Sequence, residues 1–188
     1  MKMIIPLFTI FLGQSFYSLA YSAPAQVVII RHGEKPAVGN ELNTQGWQRA
    51  NALPQFFENN KIVAEFGKPI ALYAGAPNKP GGAIRSIQTI TPYADQLGLI
   101  IHKEITKNEI SSLVNKVMNT REYEGRTVII CWEHSLIPEM AQLFGETNAP
   151  TSWDDNVFDR AWVIRFKDNQ VTDFLNLPQH LLPSDSAE

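Results

Sequence analysis

The sequence predicts an α/β protein, a three-layer α/β/α sandwich around one mainly parallel sheet. Three observations point there. Short β-branched apolar runs alternate with longer stretches whose apolar residues recur at helical spacing. Two of the runs, residues 27–30 and 127–132, are apolar almost throughout, as strands covered on both faces are. The alternation breaks only near the end, where two adjacent strand-like runs add an antiparallel edge.

The first 25 residues stand apart. Lys2 supplies a positive start, residues 4–12 are largely apolar around Pro6 and Thr9, and residues 15–25 become small and mixed. This is the layout of a secretory signal peptide. Ala20 with Ser22, or Ala23 with Ala25, suits cleavage after Ser22 or after Ala25. The apolar run is short of the ~20 residues that span a bilayer, so a secreted or periplasmic protein without lasting membrane insertion is expected. The domain is assigned to residues 26–182, and residues 183–188 to a disordered tail.

Within the domain, Val27 to Ile30 form a first strand that stops at Arg31-His32-Gly33. Trp47, Ala50, Leu53 and Phe57 then repeat at helical spacing over residues 44–57, with Asn43 or Thr44 as cap; Pro54 is expected to kink or end that helix. A strand at 70–74 leads into the Pro/Gly-rich loop 77–82. Ile84, Ile87, Ile90 and Ala94 share one face of a helix at 83–97, bent by Pro92 and stopped by Gly98. A short strand at 99–102 and a helix at 108–118, burying Ile110, Leu113, Val114 and Val117, precede the strand at 127–132, which ends at Glu133-His134. A helix at 135–144 closes at Gly145. After the polar loop 154–159, strands at 161–166 and 170–174 pair through Lys167-Asp168-Asn169.

The 188 residues are 44% hydrophobic and 19% charged, an ordinary composition for one globular domain. A net charge of −3 argues against nucleic acid as a partner while leaving room for a local basic pocket. The single cysteine, Cys131, excludes an internal disulfide and a cysteine-based zinc cluster. Its place inside an apolar strand marks it as a buried small residue.

Ligand sites of open α/β sheets lie outside the carboxyl ends of the strands. Two strands deliver Arg31-His32 and Glu133-His134 to that rim, and Arg85 stands in the first turn of a helix that starts there. Two guanidiniums suit the oxygens of a phosphoryl group, and helix N-terminal amides add donors. A neutral imidazole can attack phosphorus in line, while the arginines and a second histidine stabilise the equatorial oxygens without a metal. A carboxylic acid near the leaving oxygen would donate a proton and afterwards activate water. A metal site built from His32, Glu34, Glu133 and His134 is the competing reading, disfavoured because Arg31 and Arg85 would repel a divalent cation. Gly81-Gly82 lacks the Lys-Ser/Thr ending of a nucleotide-binding loop.

These residues resemble a known family. Val27-Val28-Ile29-Ile30-Arg31-His32-Gly33-Glu34 is similar to the Arg-His-Gly signature of the histidine phosphatase superfamily, the phosphoglycerate mutase-like proteins. Leu42 to Ala50 resembles that family's Leu-x-x-x-Gly-x-x-x-Ala segment. Arg85-Ser86-Ile87-Gln88-Thr89, with Ala94 to Gly98 after it, resembles the second-arginine helix, and the strand ending at His134 the second-histidine strand.

The resemblance implies that His32 is the phosphorylated nucleophile and that Arg31, Arg85 and His134 complete the phosphate pocket, with no metal and no cofactor. It implies a proton donor at Glu109 by position in the mutase-like branch. The acid phosphatase branch has an Asp where Ser135 stands, and Glu133 is the second candidate or a substrate-reading group. Lys79 and the loop from Trp153 to Arg160 are placed to contact the rest of a small phosphorylated substrate. The chain is too short for the inserted helical domain of phytase-like members. The expected protein is therefore an exported, metal-independent phosphomonoesterase. A phospholigand-binding protein with little turnover, or a phosphomutase, are the alternatives.

Overall fold

A computed structural model describes residues 23–186, so most of the expected signal peptide lies outside the described residues. The strands are β1 (Gln26–Arg31), β2 (Ala71–Ala74), β3 (Ile101–His102), β4 (Thr127–Trp132), β5 (Arg160–Lys167) and β6 (Gln170–Pro178). The α-helices are α1 (Thr44–Asn59), α2 (Arg85–Leu97), α3 (Ile110–Asn119) and α4 (Ile137–Leu143). The six strands form one sheet in the order β3-β2-β4-β1-β5-β6. The first four in that order are mutually parallel, β5 pairs antiparallel with β1, and β6 pairs antiparallel with β5.

The period-two alternation of side chains sorts the core into two layers. Val27, Ile29, Val128, Ile130 and Trp162 face α3 and α4, where they meet Leu113, Val117, Met140 and Phe144. Val28, Ile30, Ile129, Cys131 and Val163 face α1 and α2, against Leu53, Phe57, Ile90 and Tyr93. Both faces of the central strands are thus covered, as their continuous apolarity requires.

Local chemistry accounts for the element ends. Asn43 caps α1, its side chain accepting from the Gly46 N–H at 2.8 Å. Gly98 closes α2 in the left-handed region, φ 67°, where a side chain would be strained. Asp168 and Asn169, both at positive φ, make the two-residue turn between β5 and β6.

Of the two outcomes expected at Pro54, the helix does not end there, since α1 runs on to Asn59, and α2 carries Pro92 through to Leu97. Two expectations change. The helix expected from Ser135 opens with a 3₁₀ turn, His134–Leu136, before α4 begins. The tail is not loose from Pro183. The side chain of Asp185 is 3% exposed and ion-paired with Arg49, and Ser186 bonds Asp159 through its N–H and hydroxyl. No helix among the described residues is long and apolar enough to cross a membrane.

Candidate active site

The site begins with a register. β1 and β4 are parallel neighbours with Arg31 opposite Trp132, so both strands finish at the same level. The His32 N–H continues the ladder to the Trp132 carbonyl at 3.1 Å, which sets His32 beside the Glu133-His134 step. On the other side of β4, β2 ends at Ala74, and the Gly75 N–H reaches the Cys131 carbonyl at 3.2 Å. The loop after β2 therefore opens over the same rim and delivers Arg85 at the start of α2. A cavity of about 460 Å³ lies there, with His32, Arg85, Lys79, Asn78, Lys107 and Glu133 in its wall.

His32 is 5% exposed. Its Nδ1 lies 2.7 Å from the Gly33 carbonyl. A carbonyl only accepts, so Nδ1 carries the proton and Nε2 keeps the lone pair. Burial pushes the His32 pKa down to about 4, assisted by Arg31, Arg85 and His134 and opposed by the Gly33 bond. The ring is thus neutral and nucleophilic across the ordinary pH range. Of the other three, Arg85 lines the cavity with His32, whereas Arg31 and His134 stand behind its wall at the ends of the paired strands β1 and β4.

Each of the three is tethered by one edge and unsatisfied at another. Arg31 spends Nη1 on the carbonyls of Asp154, Asp155 and Val157 at 2.9–3.1 Å, and its guanidinium stacks 3.8 Å from the Phe158 ring centroid. Burial lowers its pKa only to about 10, so it stays protonated. Arg85 spends Nη1 on the Gly39 carbonyl at 3.0 Å. His134 gives Nε2–H to Asp155 Oδ1 at 2.5 Å. Left over, buried and without a partner among the described residues, are Arg31 Nε, Arg85 Nε and His134 Nδ1. Buried polar atoms are normally paired, and unpaired ones call for an explanation. An anion held against His32 supplies one.

The carboxylates part company. Glu109 does not line the cavity. It sits exposed before α3, accepting from the N–H and hydroxyl of Thr106 at 2.9 and 2.5 Å, bonds that hold its pKa below the usual range. The position suggested by the mutase-like resemblance is therefore a helix-end bond in this chain. Glu133 does line the cavity and is ion-paired with Lys107. Its partial burial favours the neutral acid, but the Lys107 bond and charge, with His134 and His32, outweigh that and lower its pKa. Lys79 is in the cavity wall; Ser135 is exposed outside it, its hydroxyl 3.4 Å from Glu133 Oε1.

One contributor escaped sequence reading, and another has contacts that it did not foresee. Lys107 sits in a polar connection with no motif around it. The loop from Trp153 to Arg160, expected to touch substrate, instead grips Arg31 and His134 through its carbonyls, Asp155 and Phe158. Cys131 is fully buried with its thiol pKa raised by burial, so it offers no thiolate. Among the described residues no three His, Cys, Asp or Glu side chains gather as a metal-ligand set.

Comparison with known proteins places the fold. No protein-family model matches the chain, and no curated sequence does. Solved structures do match in shape. A phosphoserine phosphatase from Entamoeba histolytica, solved with 3-phosphoglyceric acid, superposes with TM-score 0.55 at 16% identity, over 84% of this chain and 99% of that one. A phosphoglycerate mutase from Bacillus anthracis gives TM-score 0.55 at 11% identity, over 81% of this chain and 92% of that one. A protein from Agrobacterium tumefaciens assigned as the phosphohistidine phosphatase SixA gives 0.53 at 14%, over 81% and 98%. The chain has the phosphoglycerate mutase-like α/β fold in its compact form, with no cap domain among the described residues.

Proposed function

We propose that the chain is a metal-independent phosphatase of the histidine phosphatase type, hydrolysing small phosphomonoesters through a phosphohistidine on His32. The observation that carries this reading is the pair of buried, unpartnered guanidinium N–H groups, Arg31 Nε and Arg85 Nε, together with a neutral imidazole at His32. A phosphoryl group fits because its oxygens accept from both guanidiniums, whose free edges are suited to bidentate contacts. The solved neighbours named as phosphatases, one holding a phosphorylated acid, support the same reading.

The reaction follows from these roles. The Nε2 lone pair of His32 attacks phosphorus as the bond to the leaving oxygen breaks. Arg31, Arg85 and His134 balance the charge on the equatorial oxygens. Glu133 shares the cavity wall with His32, and it passes a proton to the leaving oxygen. Its low pKa in the empty site does not forbid this, because a phosphoryl dianion beside it favours the protonated form. Water then attacks phosphorus, Glu133 takes its proton, the P–N bond breaks, and His32 returns with inorganic phosphate as product.

A phospholigand-binding protein with little turnover is the second reading, favoured by the charged state that Lys107 imposes on Glu133. Turnover separates the two. The purified protein is expected to hydrolyse an aryl phosphate in the presence of EDTA, and His32→Ala to fall to background. Equal rates for the two proteins would contradict the phosphatase reading, and loss of activity in EDTA its metal independence. The signal-peptide layout of residues 1–25 supports secretion or export to a periplasm.

A further inference from the structure

The His32 loop is also held from a side that the reaction does not use. Arg49, on α1, is 2% exposed. It donates to the Glu34 carboxylate through Nε and Nη2 at 2.6–3.1 Å, and to Asp185 through Nη1 at 3.0 Å and Nη2 at 2.6 Å. Asp185 belongs to the segment after β6. That segment winds around the same carboxylate, whose Oδ2 also accepts from the N–H groups of Leu181 and Leu182 at 2.8 and 3.1 Å. Gln179 adds its Oε1 to Arg49 Nη1 at 3.3 Å and ties the segment to the Arg160 carbonyl at 2.8 Å.

The inner end of this network reaches the nucleophile. Gly33 and Glu34 share one peptide unit, and its carbonyl fixes His32 Nδ1. The Gly33 N–H is held by Thr89 Oγ1 at 2.9 Å, and the Glu34 carbonyl accepts from the Asn43 N–H at 3.0 Å. The Glu34 side chain is the remaining handle, and Arg49 holds it. A buried arginine between two carboxylates is satisfied only with both in place, and losing one strands the charge.

We propose that Arg49 and Asp185 are positioning residues: through Glu34 they fix the Gly33–Glu34 peptide, and with it the tautomer and aim of His32. The inference rests on His32 being the nucleophile, but part of its test does not. Asp185→Asn keeps the volume and an oxygen for Leu181 and Leu182 while weakening the hold on Arg49, and Arg49→Lys removes the fork. Each is expected to lower kcat about tenfold, since displacement of a reacting group by 1 Å can cost ~100-fold. KM and vanadate affinity should stay within about twofold. Rates are counted per vanadate-binding molecule, so a destabilised variant still gives an answer.

Nitrogen NMR of His32 supplies the readout that needs no turnover. The parent should show the single tautomer with the proton on Nδ1, and both variants a mixture. Variants with the parent's tautomer and the parent's rate per site would overturn the proposal. A parent that never hydrolyses a phosphoester yet loses its single tautomer in the variants would overturn the phosphatase reading and leave the positioning role standing.

Discussion

At the scale of single residues the account turns on protonation. His32 has a pKa lowered to about 4, so the nucleophilic neutral ring is present above that value and lost as pH falls through it. With an aryl phosphate, whose leaving oxygen needs no proton from Glu133, the pH profile of kcat/KM, after allowance for ionisation of the substrate, should be flat from neutrality to about pH 5 and decline near 4. A decline centred at the ordinary imidazole value of about 6.5 would mean the ring is not desolvated as described. The carboxylates give a second prediction. Glu133→Gln should lower kcat by about 10²–10⁴ on alkyl phosphates, the usual worth of a general acid, and much less on aryl phosphates that leave without help. Glu109→Gln should leave kcat within about twofold, because that carboxylate is spent on Thr106 away from the cavity. Arg31, His32, Arg85 and His134 were legible because each stands at a strand or helix end that the apolar pattern locates. Which carboxylate lines the cavity was not, since positions 109 and 133 differ only in which way the folded loops turn them. Asp155 and Lys107 were invisible for the same reason, having meaning only beside His134 and Glu133.

Among the elements, the first turn of α1 presses hardest on the nucleophile loop. A Cβ on Gly46 would stand 2.3 Å from the Glu34 carbonyl oxygen and 2.9 Å from its nitrogen, both backbone atoms that cannot swing aside. Gly46→Ala should therefore destabilise the protein by about 1–3 kcal/mol, the range of an overpacked contact, and depress activity with it. Asn43→Ala, which removes the cap and the 3.3 Å bond from Asn43 Nδ2 to the Lys35 carbonyl, should cost about 1 kcal/mol in a denaturant melt. The strands could be placed from sequence because burial on both faces makes them apolar throughout. Neither proline ends its helix, because packing overrides propensity. Pro54 is buried within a helix whose neighbours Leu53, Phe56 and Phe57 fill the core, and that burial carries the helix past a missing N–H. The tail misled because its anchors include dispersed polar residues, Gln45, Arg49 and Asp159, that no local composition reveals.

For the molecule as a whole, a mildly acidic chain concentrates positive charge at one end of its sheet, so the average charge said little about the ligand. The packing also bears on the proposed processing. Ala23 donates its N–H to Asn169 at 2.6 Å, Pro24 bridges to Glu124, and the Ala25 carbonyl accepts from Phe166 at 3.0 Å. Cleavage after Ser22 keeps those contacts and cleavage after Ala25 removes them. N-terminal sequencing of the exported protein should therefore begin at Ala23, and a start at Gln26 would contradict this.

Hydrolysis through His32 passes through a covalent phosphate on one imidazole. Protein mixed rapidly with a phosphomonoester, quenched in alkali to spare the acid-labile P–N bond, and digested for mass spectrometry should carry phosphate on the peptide holding Arg31-His32-Gly33. His32→Ala should carry none. Turnover with no modified histidine, or modification that persists in His32→Ala, would contradict the account.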